Sequence, residues 1–302
     1  MSAVKTALGR AADRHEPPKD WLDRIRARAH SRRRNRRVLA GGVGLGLAVG
    51  VIAGLLGAMS TRDPAPPADA RPPDDRCESG IDVAPTGWWR ADGSPVDAAG
   101  GRDAVLRRQV TYAPGLIGEA FSLDGEHAFV EVPDDPALNV GMDDFTIALW
   151  VRFRVTKTEQ VLAEDWVQLG RDSVGWTFQT TGNGGLLFAL GAKAGSVGTP
   201  RLDLPTDSWI HLAARRRAGF LSILVNGDVV ARAVVADETA SVDSPSSLKF
   251  GHRGGPRDTP GALFAQGFFL NGELDEIQLY VGRGLSNARI RQLVELQSAC
   301  AT

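Results

Sequence analysis

A chain of 302 residues is long enough for one large domain or two small ones, and its formal net charge is −1. That balance hides two unlike regions, because residues 1–37 carry twelve Lys or Arg against four acids, which leaves −9 on the rest of the chain. A basic arm that binds nucleic acid would also need groups that stack on bases. This one offers only Trp21, so nucleic acid is excluded as a partner.

The basic cytoplasmic segment 1–37 ends in an arginine cluster that directly precedes an uncharged apolar stretch, residues 38–59. As a helix, this stretch would extend about 33 Å, enough to cross the hydrocarbon of a bilayer. Arginines on one flank keep that flank in the cytoplasm. The sequence therefore predicts one transmembrane helix in the plasma membrane, with the N-terminus cytoplasmic and the C-terminal domain extracytoplasmic.

Two questions about the anchor stay open at this point. Ala58-Met59-Ser60 forms a small-x-small site that a signal peptidase accepts, although the apolar stretch is longer than the core of a usual signal peptide. The arginines of 1–37 suit a membrane surface with anionic lipid, and the sequence does not tell whether this segment also has a cytoplasmic partner.

Glycines recur at every fourth position of the predicted transmembrane helix: Gly42, Gly46, Gly50 and Gly54. Residues four apart lie on one face of a helix, and a groove of glycines lets two helices approach closely in lipid. This stripe predicts a homodimer through the transmembrane helix. The alternative is chance, because the stretch holds further glycines off the stripe.

Residues 60–76 form a Pro-rich linker, since five prolines in this short segment favour extended chain and oppose both helix and sheet. From Cys77 to the end, residues 77–302, short apolar strands alternate with Gly, Asp and Asn. Phe145–Phe153 alternates apolar residues as a strand packed on one side requires. Asn226-Gly227, between two apolar runs, predicts a hairpin turn.

Further strand candidates are Phe129–Val132, Trp176–Gln179, Leu186–Leu190, Leu248–Phe250 and Ile277–Val281. Many short strands with turn signals predict an all-β, two-sheet antiparallel sandwich or jelly roll. One short C-terminal helix is predicted over Asn287–Gln297, with Ser286 as its N-cap.

Several blocks of the same region occur in a specific order: Gly87-Trp-Trp-Arg-Ala-Asp92, Tyr112-Ala-Pro-Gly115, Gly118–Gly125, Val130–Pro133, Asp144–Trp150, Trp209–Ala213, Val225–Gly227 and Asn271–Tyr280. Together they resemble the laminin-G-like jelly-roll domains of bacterial surface proteins, in the concanavalin A-like lectin/glucanase superfamily. The resemblance covers essentially 77–300. It implies two antiparallel sheets with a concave face, and loops that bind glycans or proteins, but no single ligand.

The two cysteines, Cys77 and Cys300, stand at the two ends of this domain. In a reducing cytoplasm they would be ordinary thiols, whereas beyond the membrane they can pair, because the ends of a sandwich domain lie close together. We expect a disulfide bond between them.

Glycoside hydrolases share this superfamily, and those that retain configuration resemble one another in a Glu-x-Asp-x-Glu strand whose carboxylates do the chemistry. The nearest match is Glu273-Leu-Asp275, where Ile277 or Gln278 stands in place of the last Glu. His211 lacks an accompanying nucleophile pattern, which favours a structural role. The five histidines have no zinc spacing, and the chain has no phosphate-binding loop. We therefore predict no catalytic residues and no enzyme.

Calcium is the ion that the resemblance suggests, because family members hold it at loop ends with Asp and backbone oxygens. The matching candidates are Asp124 and Asp275. The Asn-Asp pair frequent in the family is His127-Ala128 here, which removes two oxygens. The favoured interpretation is that both acids cap loops and that the protein needs no cofactor.

The sequence thus favours a non-catalytic, membrane-anchored extracytoplasmic binding module for cell-wall glycan or a surface protein. The alternative is a structural or signalling membrane subunit without a soluble ligand, and a glycoside hydrolase is least favoured. An exposed aromatic shelf at Trp166, Trp176 or Phe268-Phe269 would favour carbohydrate binding. A broad apolar patch would instead favour a protein partner.

Overall fold

The structure is a computed structural model that describes residues 77, 80–169, 172–191, 193–253 and 268–301. In these ranges the chain forms fifteen strands, one 3-10 turn (Pro136–Leu138) and a C-terminal helix, α1 (Asn287–Cys300). The strands in chain order are β1 (Gly87–Trp89), β2 (Val105–Arg107), β3 (Thr111–Pro114), β4 (Glu119–Asp124), β5 (Phe129–Val132), β6 (Phe145–Phe153), β7 (Gln160–Leu169), β8 (Asp172–Thr180), β9 (Leu186–Leu190), β10 (Gly195–Gly198), β11 (Ile210–Arg217), β12 (Phe220–Val225), β13 (Asp228–Val234), β14 (Leu248–Phe250) and β15 (Asn271–Val281).

The strands assemble into two sheets that face each other. Sheet A has the order β13-β12-β11-β6-β15-β4-β3, with β1 paired to β15, and sheet B has the order β10-β9-β8-β7-β14-β5-β2. The strand pairs of both sheets are antiparallel. The predicted all-β sandwich with a short C-terminal helix is confirmed.

The core lies between the two sheets and follows the alternation read from the sequence. In β6, Ile147, Leu149 and Val151 point into this core, while Trp176 and Phe178 of β8 meet them from sheet B. Each is at most 1% exposed. Because a strand turns successive side chains to opposite faces, the residues between these core positions point outward. What covers the outer face of each sheet therefore decides whether that face can contact other molecules.

Helix α1 covers the outer face of sheet A. Its Ile290 and Leu293 pack on Ala148 of β6, Ala213 of β11 and Leu224 of β12. The prediction that β6 is packed on one side only was therefore wrong, because the helix buries the alternate positions as well. The helix also runs to Cys300 rather than Gln297, while Ser286 caps its start as predicted, accepting a hydrogen bond from the Arg289 N–H.

Buried hydrogen bonds fix the last turn of α1 to the strands beneath it. Gln297 accepts a hydrogen bond from Trp150 Nε1 at 2.8 Å and donates one from Nε2 to Glu276 at 3.1 Å. Glu276 also accepts from Trp88 Nε1 at 2.8 Å, so β1, β6, β15 and the helix share one network. A buried network of this kind is stable only when its members are paired, which makes the docked position of the helix specific.

The acids of this region sit at an irregularity of β15 where the register with β6 shifts, and Glu276 takes a φ of 50°. Asp275 accepts hydrogen bonds from the N–H groups of Leu116 and Ile117, at 2.7 and 3.1 Å. Burial, and then the neighbouring Glu276, raise the pKa of Asp275 to about 8. Burial raises the pKa of Glu276 to about 7, although Arg90 opposes it. Both carboxyls therefore keep their protons to a higher pH than they would in the unfolded chain.

The Asn226-Gly227 turn joins β12 to β13 as the sequence predicts. Both residues have positive φ, 50° and 83°. Two such residues make a hairpin turn whose twist matches that of the flanking strands. The Asn226 side chain accepts a hydrogen bond from the His211 N–H at 3.0 Å, which also ties the turn to β11.

Cys77 and Cys300 are joined by a disulfide bond, with a Cα–Cα distance of 5.9 Å and a sequence separation of 223. The predicted pairing is confirmed. The bond ties the start of the domain to the end of α1, which itself lies against sheet A. The chain therefore enters the domain on the sheet A side.

Among the residues that the structure describes, no helix has the length and apolar character needed to cross a membrane. The predicted basic segment 1–37, the transmembrane helix 38–59 with its glycine stripe, and the linker 60–76 lie outside the described residues. These three assignments, and dimerisation through the stripe, stay predictions.

We predict that the protein loses stability between pH 7 and pH 9. Asp275 and Glu276 have pKa values raised above those of the unfolded chain, so the folded state binds more protons and the free energy of unfolding falls as the pH rises through about 8. The fall should be on the order of 1–2 kcal/mol. Burial lowers the pKa of His211 to about 3. Below pH 6.5 the folded state therefore binds fewer protons at this residue than the unfolded chain does, and stability rises with pH. The comparison starts at pH 7 to avoid this opposite effect.

Urea unfolding at pH 7, 8 and 9 measures this dependence. The matched variant Asp275→Asn keeps an acceptor for the Leu116 and Ile117 N–H groups but does not titrate, so its stability should be flatter over the same range. A wild-type stability that is constant or rises from pH 7 to pH 9 would contradict this interpretation of the acids.

The disulfide should contribute strongly to stability because it closes a long loop. In the chain-entropy account, cross-linking residues 223 apart restricts the unfolded chain by on the order of 5 kcal/mol. We expect the double variant Cys77→Ser plus Cys300→Ser to unfold at clearly lower urea. Reductant should lower the midpoint of the wild type and leave the variant unchanged. Two freely alkylated thiols in protein isolated without reductant would contradict the pairing.

Candidate functional site

The outer face of sheet B carries a row of side chains that crosses all seven strands. We call this surface the sheet B face, and its central row is, from edge to edge, Ser196, Ala189, Thr177, Glu164, Lys249, Glu131 and Val105. Each is the register partner of the next, and directly paired residues point to the same side. Helix α1 covers sheet A, whereas this row of sheet B bears hydroxyl and charged groups.

Alternation with the core explains why these polar residues point outward. Thr177 stands between Trp176 and Phe178, and Lys249 stands between Leu248 and Phe250, all of which are buried between the sheets. Because the apolar neighbours fix the inward positions, the polar residues have only the outer face left.

Trp166 is the aromatic residue beside the row. It lies two positions after Glu164 on β7 and is partly exposed. Its register partner on β8 is Gly175, whose φ is 108° and where a Cβ would meet the Asp165 carbonyl oxygen at 1.8 Å. Only glycine fits there, so β8 places no side chain next to the indole.

The middle of the row is a hydrogen-bonded cluster around Glu164. Its carboxylate accepts hydrogen bonds from Thr177 Oγ1 at 3.1 Å and from Arg253 Nε at 3.3 Å. Arg253 also donates to Gln179, whose Nε2 donates to Glu159 at 2.8 Å. The Glu164 side chain is 1% exposed, and that of Arg253 is 19% exposed. Thr177 and Gln179 are buried as well, so this cluster lies beneath the surface of the domain.

The second half of the row is held by Glu131. This carboxylate accepts hydrogen bonds from Arg107 and from Ser247. Burial opposes ionisation, but these two donors hold the pKa of Glu131 below its usual value. Lys249, between Glu131 and Glu164 in the register, donates to Ser246 Oγ at 2.9 Å and to the Ser247 carbonyl at 3.0 Å.

Aromatic rings border the face where the chain leaves β14 and approaches β15. The Arg253 guanidinium lies 4.5 Å from the centre of the Phe268 ring. Phe269 stacks on His252 with ring centres 4.2 Å apart, and Phe129 of β5 meets His252 edge-on at 4.8 Å. These contacts pack His252, Arg253 and Phe269 against sheet B.

The aromatic residues predicted to form an exposed shelf lie in different environments in the structure. Trp176 is 0% exposed and belongs to the core, so it cannot meet a ligand. Phe268 and Phe269 are partly exposed but already packed against Arg253 and His252. Trp166 is the predicted residue that lies on the sheet B face.

Asp124 and Asp275, the calcium candidates, are separated in the structure. Asp124 accepts three backbone N–H groups of its own hairpin, from Glu126, His127 and Ala128. Burial opposes it, but these donors lower the pKa of Asp124. Asp124 pairs with Asn271 on β15, four residues before Asp275, a separation of about 13 Å along a strand.

The described ranges hold no group of three or more His, Cys, Asp or Glu residues placed to bind a metal. Both acids thus have hydrogen-bonding roles, and calcium at either stays a prediction.

The acids of the hydrolase-like strand lie on sheet A, away from the sheet B face. Glu273 forms an ion pair with Arg152 at 3.0 Å, and Arg152 lies 5.0 Å from the Trp209 ring centre. Asp275 is buried, with backbone N–H groups on its carboxylate. His211 is also fully buried, edge-on to Trp150 at 5.3 Å. These groups serve the packing of sheet A.

A small cleft at one end of the sandwich is lined by Phe153, Gln160, Thr180 and Leu204, among others. Gln160 donates to the Arg154 carbonyl and accepts from the Asn271 N–H, while its own N–H donates to Thr180 Oγ1. Its polar lining is thus engaged within the protein, and the cleft is a weaker candidate than the sheet B face.

Most of the row was not predicted from the sequence. Glu164, Thr177, Lys249 and Glu131 each interrupt an apolar run at an alternate position, and that signal was available. The sheet order was not, because Lys249 of β14 comes to lie between Glu164 and Glu131 only through pairings with β7 and β5, which are distant in the sequence.

Several solved structures are similar to this chain. They include the binding domain of botulinum neurotoxin serotype C1, with a TM-score of 0.56 and 18% identity over 73% of this chain and 53% of that one. The binding domain of botulinum neurotoxin DC gives 0.56 and 14% over 71% and 52%. Domain 4 of AbnA, a GH43 extracellular arabinanase from Geobacillus stearothermophilus, gives 0.50 and 16% over 71% and 100%. At these identities the likeness shows the fold.

This chain spans about half the length of the neurotoxin domains it matches. The similar structures named here are binding domains or accessory domains and not catalytic domains. No curated protein matches the sequence. Residues 124–291, more than half of the chain, match the Laminin_G_3 family. The chain therefore belongs to this family, described as the concanavalin A-like lectin/glucanases superfamily.

Proposed function

We propose that this protein is a non-catalytic, membrane-anchored extracytoplasmic module that binds glycan on its sheet B face. One observation carries the proposal: on the outer face of sheet B, a partly exposed Trp166 shares the surface with the partly exposed polar side chains of Lys249, Glu131 and Ser247. Sugar rings combine apolar C–H faces with hydroxyl edges. An indole matches the first and a polar row matches the second.

The exposed apolar residues favour glycan over a protein partner. The large apolar side chains exposed in the described residues are Val96, Val105, Met142, Val155 and Val234. They belong to five different strands or loops and form no single broad patch of the sort that marks a protein interface.

The similar structures support a binding role, and two of them were solved with carbohydrate-type ligands. Domain 4 of AbnA was solved in complex with arabinotriose, and the neurotoxin DC binding domain in complex with SialylT. The same DC domain was also solved with rat synaptotagmin II, so this fold supports a protein partner too. A structural or signalling subunit that contacts a neighbouring protein is therefore the alternative outcome.

The location of the protein is argued from the sequence. The uncharged stretch 38–59 behind the arginines of 1–37 favours a plasma-membrane anchor with the domain outside. The Cys77–Cys300 disulfide supports an oxidising compartment. Cell-wall glycan is then the polymer that the domain would meet at a bacterial surface. Dimerisation through the glycine stripe remains a separate prediction.

Binding of full-length protein to a glycan array and to isolated cell walls tests this function, in a detergent without a sugar head group. We expect Trp166→Ala to weaken glycan binding at least about tenfold, because an aromatic contact with a ligand is worth on the order of 1.4 kcal/mol. The matched control is Trp209→Ala, which removes a partly exposed tryptophan from the other sheet.

Two results would contradict the proposal. Equal loss in both variants would mean that the sheet B face is not the site. Capture of a surface protein, with no glycan or cell wall bound by the wild type, would favour the alternative of a subunit that contacts a neighbouring protein.

A further inference from the structure

The cations of the sheet B face are already engaged within the protein. Among the residues that the structure describes, these cations are Arg107 on β2, Lys249 on β14 and Arg253, which follows β14. An anionic glycan, with carboxylate, sulfate or phosphate groups, is recognised by guanidinium or ammonium groups that it can pair with. The state of these three side chains therefore indicates which class of glycan the face accepts.

Arg253 has the most complete set of partners. It pairs with Glu164 at 3.3 Å, donates to Gln179 and covers the Phe268 ring at 4.5 Å. Its carboxylate partner is 1% exposed, so withdrawing the guanidinium would leave a buried charge unpaired. That penalty is large for a buried pair. An anionic ligand that recruited Arg253 would therefore leave Glu164 buried and unpaired.

Arg107 and Lys249 are more exposed but are engaged by other groups. Arg107 pairs with Glu131, and the two side chains are 46% and 20% exposed. Lys249 is held by Ser246 and Ser247 and lies between two carboxylates in the register. An approaching anion would meet Glu131 as well as Arg107, and the attraction and repulsion would largely cancel.

We infer that the glycan bound by the sheet B face is uncharged, because the cations of this face are committed to carboxylates and backbone groups of the protein itself. This inference rests on the proposed function and narrows its ligand class. Recognition then depends on Trp166 for the apolar face of a sugar, and on partly exposed polar side chains such as Glu131 and Ser247 for its hydroxyls.

The first test measures binding of full-length protein to neutral oligosaccharides (arabinotriose, cellohexaose, maltohexaose) and to anionic ones (trigalacturonate, sialyllactose). It is done at about 50 and about 500 mM NaCl. We expect the bound sugars to be neutral, with a Kd that changes less than about twofold over this range, since salt screens only charge interactions. Anionic sugars that bind more tightly, and lose more than about tenfold in affinity at high salt, would overturn the inference and leave the proposed function standing.

Absence of binding to either set of sugars and to isolated cell walls would instead contradict the proposed function, and the inference would fail with it. The two failures are thus distinguishable.

A second test is a gain of function. Glu131→Gln keeps an acceptor for Ser247 but removes the charge that engages Arg107. We expect this variant to bind trigalacturonate about two- to fivefold more tightly than wild type, the range of one exposed ion pair. The matched control is Glu273→Gln, which frees Arg152 on the opposite sheet and should change nothing. An unchanged affinity in Glu131→Gln would contradict the argument from paired cations.

Discussion

Helix α1 packs its apolar side on the outer face of sheet A, and the arrangement of the rest of the domain depends on this contact. The helix ends in a buried network in which Gln297 joins Trp150 of β6 to Glu276 of β15. A few residues later Cys300 bonds to Cys77, so the same helix also receives the start of the domain. The outer face of sheet A is thereby used for packing within the domain. Trp166, Lys249 and Glu131 on the outer face of sheet B are partly exposed, on the side opposite to the chain entry.

The two outer faces differ in chemistry: the face of sheet A under the helix is apolar, and the face of sheet B is polar. Under the helix, Ala148, Ala213 and Leu224 offer the small and apolar surface against which a helix packs. On sheet B, the corresponding outward positions hold Thr177, Glu164, Lys249 and Glu131, whose polar atoms are engaged with one another or with nearby groups. Glu164 and Thr177 are buried, so their hydrogen bonds are necessary, because a buried polar group without a partner destabilises the fold. Lys249 and Glu131 are partly exposed.

Much of the fold was predictable because it depends on local patterns. The alternation of Phe145–Phe153, the Asn226-Gly227 turn and the Ser286 cap each follow from a few neighbouring residues, and each is present. The helix cover on sheet A was missed, since an alternating strand does not reveal whether a distant helix packs on its second face. The pairing of Cys77 with Cys300 could be predicted because the chain has only two cysteines.

The candidate site was predictable only in part. Trp166 was singled out as an aromatic, but Trp176 looked equivalent in the sequence and lies in the core. The difference arises from the register of β7 against β8, where Trp176 pairs with Asp165 and Trp166 pairs with Gly175. The row beside Trp166 depends on the pairing of β14 with β7 and with β5, strands that are far apart in the sequence, and no local pattern contains these pairings.

Oxidative footprinting of tryptophan, read by mass spectrometry on the full-length protein, tests the central claim most directly. Trp166 and Trp209 are both partly exposed and lie on opposite sheets, so each serves as the other's control. With a bound neutral glycan, oxidation of Trp166 should fall while that of Trp209 stays unchanged. Protection of Trp209 alone, or no change at Trp166 when the glycan is bound, would contradict the assignment of the sheet B face.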